Sequence, residues 1–216
     1  MKYIAPSLLS ADFGNLSRDI EMINRSAAEW LHVDVMDGVF VPNISFGFPI
    51  MEVLKKECKK PLDVHLMITH PEKYVERFVD AGAWSVGFHL EAVDDPLPIL
   101  DLIKKKNCRT CLTINPDISV ERLEPYLDKV DMLLLMSVFA GYGGQKFIPQ
   151  TFDKLTWLRS QLDKRGLKTL IEIDGGVNAS NSLDLFAAGA DVLVAGSAVF
   201  GKENPEEEIL KLKGEL

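Results

Sequence analysis

Cysteine, basic charge and long apolar runs are what this chain of 216 residues has little of, and each shortage excludes something. Its three cysteines cannot all pair with one another, so no disulfide framework is expected to hold the fold. Cys108-Arg-Thr-Cys111 has a spacing used by redox and zinc motifs. A separation of three, however, sends two strand side chains to opposite faces, and only Cys58 is left to add a thiolate. The cysteines therefore read as small buried hydrophobes. Lys and Arg number 24 against 32 Asp and Glu, a net charge of −8 with no basic block, which argues against nucleic acid as a partner. No apolar run reaches the ~18 residues of a membrane span. The opening Met1-Lys-Tyr-Ile-Ala-Pro6 shows no leader pattern, and no Pro/Gly/Ser linker or low-complexity tract interrupts the rest of the chain. The expectation is one soluble domain over residues 1–216, cytoplasmic, with self-association into a homo-oligomer left open.

What the chain does have is rhythm. Eight short, β-branched-rich segments recur at the spacing of βα units: Tyr3–Ser7, Trp30–Asp34, Leu62–Leu66, Trp84–His89, Thr110–Ile114, Met132–Met136, Leu170–Asp174 and Val192–Ala195. Between them lie helical faces such as Leu16, Ile20 and Ile23, then Ile50, Val53 and Leu54, then Leu155, Leu158 and Leu162. A last helix should begin near Pro205, where Glu206, Glu207 and Glu208 suit the positive end of the dipole. Ala81-Gly-Ala83 and Ala188-Gly-Ala190 each suit a helix end leading into a strand. Eight such units predict an α/β fold, a single (β/α)8 barrel. The alternative is a doubly wound open sheet, but the first unit lacks its Gly-rich fingerprint.

Polar residues then fall at particular strand ends. In His32-Val-Asp34-Val-Met36-Asp37-Gly38 and Asp63-Val-His65-Leu-Met67, residues two apart share a strand face. Asp174-Gly175-Gly176 closes the seventh strand. In a barrel, His32, Asp34, His65 and Asp174 would converge at the C-terminal end, where functional residues of this fold gather. Each alone has a bland explanation as a core histidine or a helix cap. Together they would bury carboxylates at high desolvation cost, and a bound divalent cation removes that cost. Mixed His/carboxylate ligation suits zinc, iron(II), manganese(II) or cobalt(II) alike. His89-Leu-Glu91 repeats the spacing and reads as support for the ligands, and His70 as a solvated helix-entry residue.

Glycines cluster in the last three βα loops: Gly141-Tyr142-Gly143-Gly144-Gln145, Gly175-Gly176 and Gly196-Ser197. Glycine lets backbone N–H groups approach an anion closely, and barrels often hold phosphate at the loops after strands seven and eight. A phosphorylated small molecule could therefore be held without Lys or Arg. Met36, Met67 and Met136, at strand ends, would wall a pocket beneath these loops. Loops 37–48 and 137–148 are the expected lids.

Along nearly its whole length the chain resembles the ribulose-phosphate 3-epimerase family. The resemblance rests on Ala5-Pro-Ser7-Leu-Leu-Ser10-Ala-Asp12-Phe13, His32 to Asn43, Asp63 to Met67, Gly143-Gly-Gln145-Lys-Phe147-Ile148, Asp174-Gly-Gly-Val177 and Val194 to Phe200. It implies interconversion of D-ribulose 5-phosphate and D-xylulose 5-phosphate, a divalent metal on His32, Asp34, His65 and Asp174, and substrate contacts from Ser7 and His65. Inverting a carbon next to a ketone needs proton removal on one face and return on the other, which suits the paired carboxylates Asp34 and Asp174. One loop departs: similar enzymes carry an acidic or amide residue followed by Pro-Gly-Phe, where this chain has Phe139-Ala140-Gly141-Tyr142. Allulose-6-phosphate 3-epimerase is the alternative specificity within the same resemblance. A lyase or decarboxylase of the same fold would want a lysine at a strand end, and a non-catalytic phosphate-binding barrel would have lost one of the paired acids.

Overall fold

The structure is a computed structural model that describes residues 2–216. Eight parallel strands, β1 (Tyr3–Pro6), β2 (Leu31–Met36), β3 (Leu62–Met67), β4 (Ser85–His89), β5 (Arg109–Ile114), β6 (Met132–Met136), β7 (Leu170–Asp174) and β8 (Val192–Ala195), pair in the ring order 1-8-7-6-5-4-3-2. A parallel bridge between Ser7 and His32 joins the two ends of that order and closes the barrel. The open-sheet alternative is thereby removed.

Helices α1 (Leu16–Arg25), α2 (Phe48–Glu57), α3 (Val75–Asp80), α4 (Leu97–Lys105), α5 (Thr151–Arg165), α6 (Ser182–Ala188), the single turn α7 (Ser197–Phe200) and α8 (Pro205–Lys213) surround the sheet. The fifth unit has no α-helix. A 3₁₀ helix, Val120–Tyr126, takes its place with Pro125 inside it, where the missing N–H disfavours a continuous α-helical ladder. The expected faces of α1 and α5 bury Ile20, Ile23, Leu155, Leu158 and Leu162, whereas on α2 the buried pair is Met51 and Leu54, with Ile50 and Val53 only half-buried. The final helix starts at Pro205 with the Asn204 side chain accepting the Glu207 N–H.

Alternation along each strand decides what faces where. Val33, Val35, Val64, Leu66, Leu133 and Ile173 belong to the large apolar cluster between sheet and helices. Their neighbours point into the barrel. Part of the interior is apolar, with Ala5, Trp30, Cys111, Met132, Leu134, Met136, Val192 and Val194 in one cluster. Buried polar side chains share the same interior: His32, Asp34, Asp63, His65, His89, Thr113 and Glu172. Strands two and three run further than the sequence suggests, to Met36 and Met67, because those methionines pair in register and add a rung beneath the loops. Cys108 and Cys111 fall into different clusters, outside and inside the barrel, as their spacing requires. Burial pushes both thiols up, Cys108 to about 11. Among the described residues no helix is long and apolar enough to cross a membrane.

Candidate active site

The register of β2 on β3 sets Asp34 opposite His65, and that of β6 on β7 sets Met136 opposite Asp174. Around the top of the barrel this brings four side chains to one point. Asp34 Oδ1 lies 3.3 Å from His32 Nε2 and 3.3 Å from His65 Nδ1, while Asp174 Oδ2 lies 3.9 Å from each of the same nitrogens. One donor atom from each residue falls within 4.8 Å of all the others. His32 Nε2, Asp34 Oδ1 and His65 Nδ1 are buried and make no hydrogen bond. Leaving such atoms unsatisfied costs about 1–3 kcal/mol each.

A divalent ion fits this cluster. Metal–ligand distances of about 2.0–2.2 Å in a tetrahedral site put ligands about 3.3–3.6 Å apart, close to the separations found here. The hydrogen bonds around the cluster leave its facing atoms free. Ser7 Oγ donates to Asp34 Oδ2 at 2.5 Å, turning Oδ1 toward the histidines. His32 Nδ1 lies 2.7 Å from Asp63 Oδ2, so its Nε2 is the nitrogen that faces the cluster. His65 uses its other ring nitrogen, Nε2, to contact His89 Nε2 at 2.9 Å.

The protein's own groups drive the two carboxyls apart. Burial works to raise Asp34, but His32 and His65 outweigh it and hold this carboxyl below the usual range. Asp174 is raised to about 7 by burial and then by the charge of Asp34, against the pull of His32. Burial lowers His65 despite Asp34, whereas for His32 the carboxylates of Asp34 and Asp63 outweigh burial and raise it well above its ordinary value.

Two buried acids are not among the residues that the sequence singles out. Asp63 and Glu172 lie one rung deeper than His65 and Asp174, on the same interior faces. Glu172 Oε1 is 3.7 Å from His32 Nδ1, and neither of its oxygens has a hydrogen-bond partner. Burial and the nearby Asp63 push its carboxyl far above the ordinary range. A signal for them exists, since Asp63-Val-His65 and Glu172-Ile-Asp174 carry the same two-residue step as His32-Val-Asp34.

Above the cluster opens a cavity of about 620 Å³ whose wall includes Ser7, Asp34, Asp174 and the three methionines Met36, Met67 and Met136. Its rim contains all the expected glycines and their neighbours: Gly141, Tyr142, Gly143, Gly144, Gly175, Gly176, Gly196 and Ser197. His32 and His65 are not part of that wall; they sit beneath the carboxylates, 0% and 1% exposed. Lys146 and Lys202 stand on the rim, exposed. The helix after Gly196 is one turn long, so any anion there would meet backbone N–H groups with little added dipole.

Some glycines are dictated by packing. Gly175 and Gly176 adopt φ of +120° and +64°, and a Cβ on Gly176 would stand 2.4 Å from the backbone nitrogen of Phe147. Loop 137–148 is thus seated directly on the end of β7. Loop 37–48 meets it through Asn43 Nδ2, which donates to Gly141 O at 2.8 Å. Asp37, just past the end of β2, is a loop organiser: its carboxylate accepts from the N–H groups of Val39, Phe40 and Thr69. His70 is exposed beside Glu72, in a left-handed conformation (φ 54°) that the sequence does not suggest.

A family model for the ribulose-phosphate 3 epimerase family matches residues 3–200. The chain belongs to that family. Its members are isomerases by reaction type, and three relatives show how evenly the likeness is spread. The ribulose-phosphate 3-epimerase of Synechocystis is 45% identical over 208 residues, covering 95% of this chain and 90% of the relative. That of Bacillus subtilis is 41% identical, covering 98% of both, and that of Escherichia coli 42%, covering 99% and 95%. Among solved structures, a tryptophan synthase α-subunit from Pyrococcus furiosus superposes with a TM-score of 0.71 at 14% identity, covering 99% of this chain and 97% of that one. An N-(5'-phosphoribosyl)anthranilate isomerase from the same organism gives 0.67 at 15%, covering 99% and 100%. At that identity the likeness speaks for the barrel fold alone.

Proposed function

We propose that this family member catalyses the reversible C3 epimerisation of D-ribulose 5-phosphate and D-xylulose 5-phosphate, with a divalent metal held by His32, Asp34, His65 and Asp174. The observation that carries the reading is the pair of carboxyls on β2 and β7, set on the floor of one cavity and joined to two histidines with unsatisfied ring nitrogens. A cation bound there supplies Lewis-acid polarisation of the ketone and steadies the charge that develops on oxygen.

The chain's own residues do the rest. Removing the proton at C3, next to the carbonyl carbon, gives an enediolate, and inversion requires a proton from the other face. Asp34 and Asp174 reach the cavity floor from different strands, three places apart around the closed ring, so a sugar lying between them meets one carboxyl on each face. One accepts the C3 proton, the other donates, and the roles exchange in the reverse direction. Ser7 keeps Asp34 aligned through its 2.5 Å bond and reaches the cavity itself. Met36, Met67 and Met136 offer an apolar, adaptable wall against the planar intermediate. The phosphate is assigned to backbone N–H groups around Gly143, Gly144, Gly176, Gly196 and Ser197.

The test is conversion of D-ribulose 5-phosphate by the purified, zinc-loaded protein, with allulose 6-phosphate as competitor substrate. The reading expects xylulose 5-phosphate as product and a clear preference for the pentose. Preferential turnover of the hexose phosphate would move the assignment to the sister specificity, and turnover of neither would remove it.

A further inference from the structure

A hydrogen-bonded path leaves the rear of His65 and ends in the loop that departs from the family pattern. On one side of the His65 ring, Nδ1 faces Asp34 and Asp174. On the other, Nε2 lies 2.9 Å from His89 Nε2, the two ring planes 21° apart and their centroids 5.0 Å from each other. His89 Nδ1 lies 3.1 Å from Glu91 Oε1, and the same oxygen accepts the backbone N–H of Asn115 at 2.9 Å. The Asn115 side chain continues the path: its Oδ1 accepts the backbone N–H of Ala140 at 3.1 Å.

Counting hydrogens gives the path one direction. A neutral imidazole carries a single N–H. If His65 Nδ1 offers its lone pair to a metal, the hydrogen is on Nε2 and is donated to His89 Nε2. His89 then carries its own hydrogen on Nδ1, aimed at the Glu91 carboxylate. Asn115 Nδ2, 3.4 Å from that same nitrogen, faces another donor and makes no bond there. Its amide orientation is set by Ala140 instead. The arrangement leaves Glu91 Oε2 and Asn115 Nδ2 without a partner and satisfies the remaining ring nitrogens and oxygens of the path.

We propose that Glu91 is a positioning residue for His65, acting through His89, and that Asn115 registers the mouth loop against this relay through the Ala140 N–H. The inference rests on the reading of His65 as a metal ligand. A proline at position 140 would have no N–H to give, so the loop end of the path depends on the alanine that stands there.

Zinc is the probe. Its affinity is measured by chelator competition in wild type, Glu91→Ala, Glu91→Gln and Asn115→Ala, with ¹⁵N NMR of the His65 ring and hydrogen exchange of the Ala140 amide. Glu91→Ala is expected to weaken zinc binding about 10–100-fold. Glu91→Gln keeps an oxygen acceptor and recovers most of the loss, which a merely structural glutamate would not require. Zinc loading slows Ala140 exchange in wild type, and that response disappears in Asn115→Ala. Unaltered zinc affinity in Glu91→Ala, or an Ala140 amide indifferent to zinc, overturns the proposal. Should Glu91→Ala not fold, the wild-type ring decides: a hydrogen on Nδ1 of zinc-loaded His65 rules the relay out. A wild type that binds no zinc at these residues removes the metal reading itself, whereas tight wild-type binding with unaffected variants removes only the relay.

Discussion

Replacing Asp63 by asparagine separates orientation of a ligand from stability of the fold. In the structure Asp63 Oδ2 sits 2.7 Å from His32 Nδ1 and so keeps the lone pair of Nε2 turned toward the cluster. Hydrogen bonds to charged groups contribute about 1.5–3 kcal/mol and neutral ones about 0.5–1.5, so losing the charge alone costs about 1–1.5 kcal/mol of orientation. Asparagine can also turn its NH₂ toward Nδ1, which moves the imidazole hydrogen to Nε2 and blocks ligation. The two effects together are expected to lower metal affinity about 10–100-fold. Stability should change less. Asp63 helps hold the Glu172 carboxyl in its neutral form, and removing the Asp63 charge eases that cost at neutral pH, offsetting the weakened bond to His32. The assay is zinc competition against a chromogenic chelator, with Tm read on the metal-free variant. Weaker zinc binding at a Tm close to wild type is the expected pair of results. Wild-type affinity together with a lower Tm would show that Asp63 serves packing alone.

Prolonged chelation should abolish turnover and a divalent ion restore it, and full activity in demonstrably metal-free protein would contradict the assignment of His32, Asp34, His65 and Asp174. Gly176→Ala places a Cβ 2.4 Å from the Phe147 backbone at φ +64°, so calorimetry should show a loss of at least about 2 kcal/mol. Gly144→Ala, with open space around it at φ +75°, should cost only the left-handed strain of about 1–2 kcal/mol; equal losses would mean the seating of the loop on β7 is unimportant. Gly196→Val should raise KM steeply, because even its Cβ would lie 2.5 Å from Ser10 Oγ and the branch beyond it would close the rim. An unchanged KM in a folded variant would place the phosphate elsewhere.

The barrel and its four converging residues are legible in the sequence because both depend on local periodicity. Strand faces repeat every two residues, so His32 with Asp34 and Asp63 with His65 announce their common side. Attention to the strand ends alone passes over Asp63 and Glu172, two residues earlier on the same faces. The contact between His65 and His89 lies beyond the sequence for a different reason. It depends on register: His65 pairs with Gly87, so the His89 ring arrives from further along the neighbouring strand. Likewise Ala140 looks in the sequence like a loosened proline position, and only the fold shows that its N–H has a partner in Asn115. The 3₁₀ helix at Val120–Tyr126 announces itself only through Pro125.

If Asp34 and Asp174 act on opposite faces of C3, solvent exchange separates their two roles. Each epimer is incubated in deuterated water with wild type, Asp34→Asn and Asp174→Asn, after metal content has been matched. Deuterium at C3 and conversion to the other epimer are then followed separately by NMR. Wild type should place solvent deuterium at C3 of both sugars as they interconvert. Each variant should lose epimerisation by several powers of ten. It should retain exchange only in the one epimer whose C3–H faces the surviving carboxyl, the favoured epimer switching between the two variants. A single surviving carboxylate that interconverts both sugars at the wild-type rate would contradict the two-face scheme.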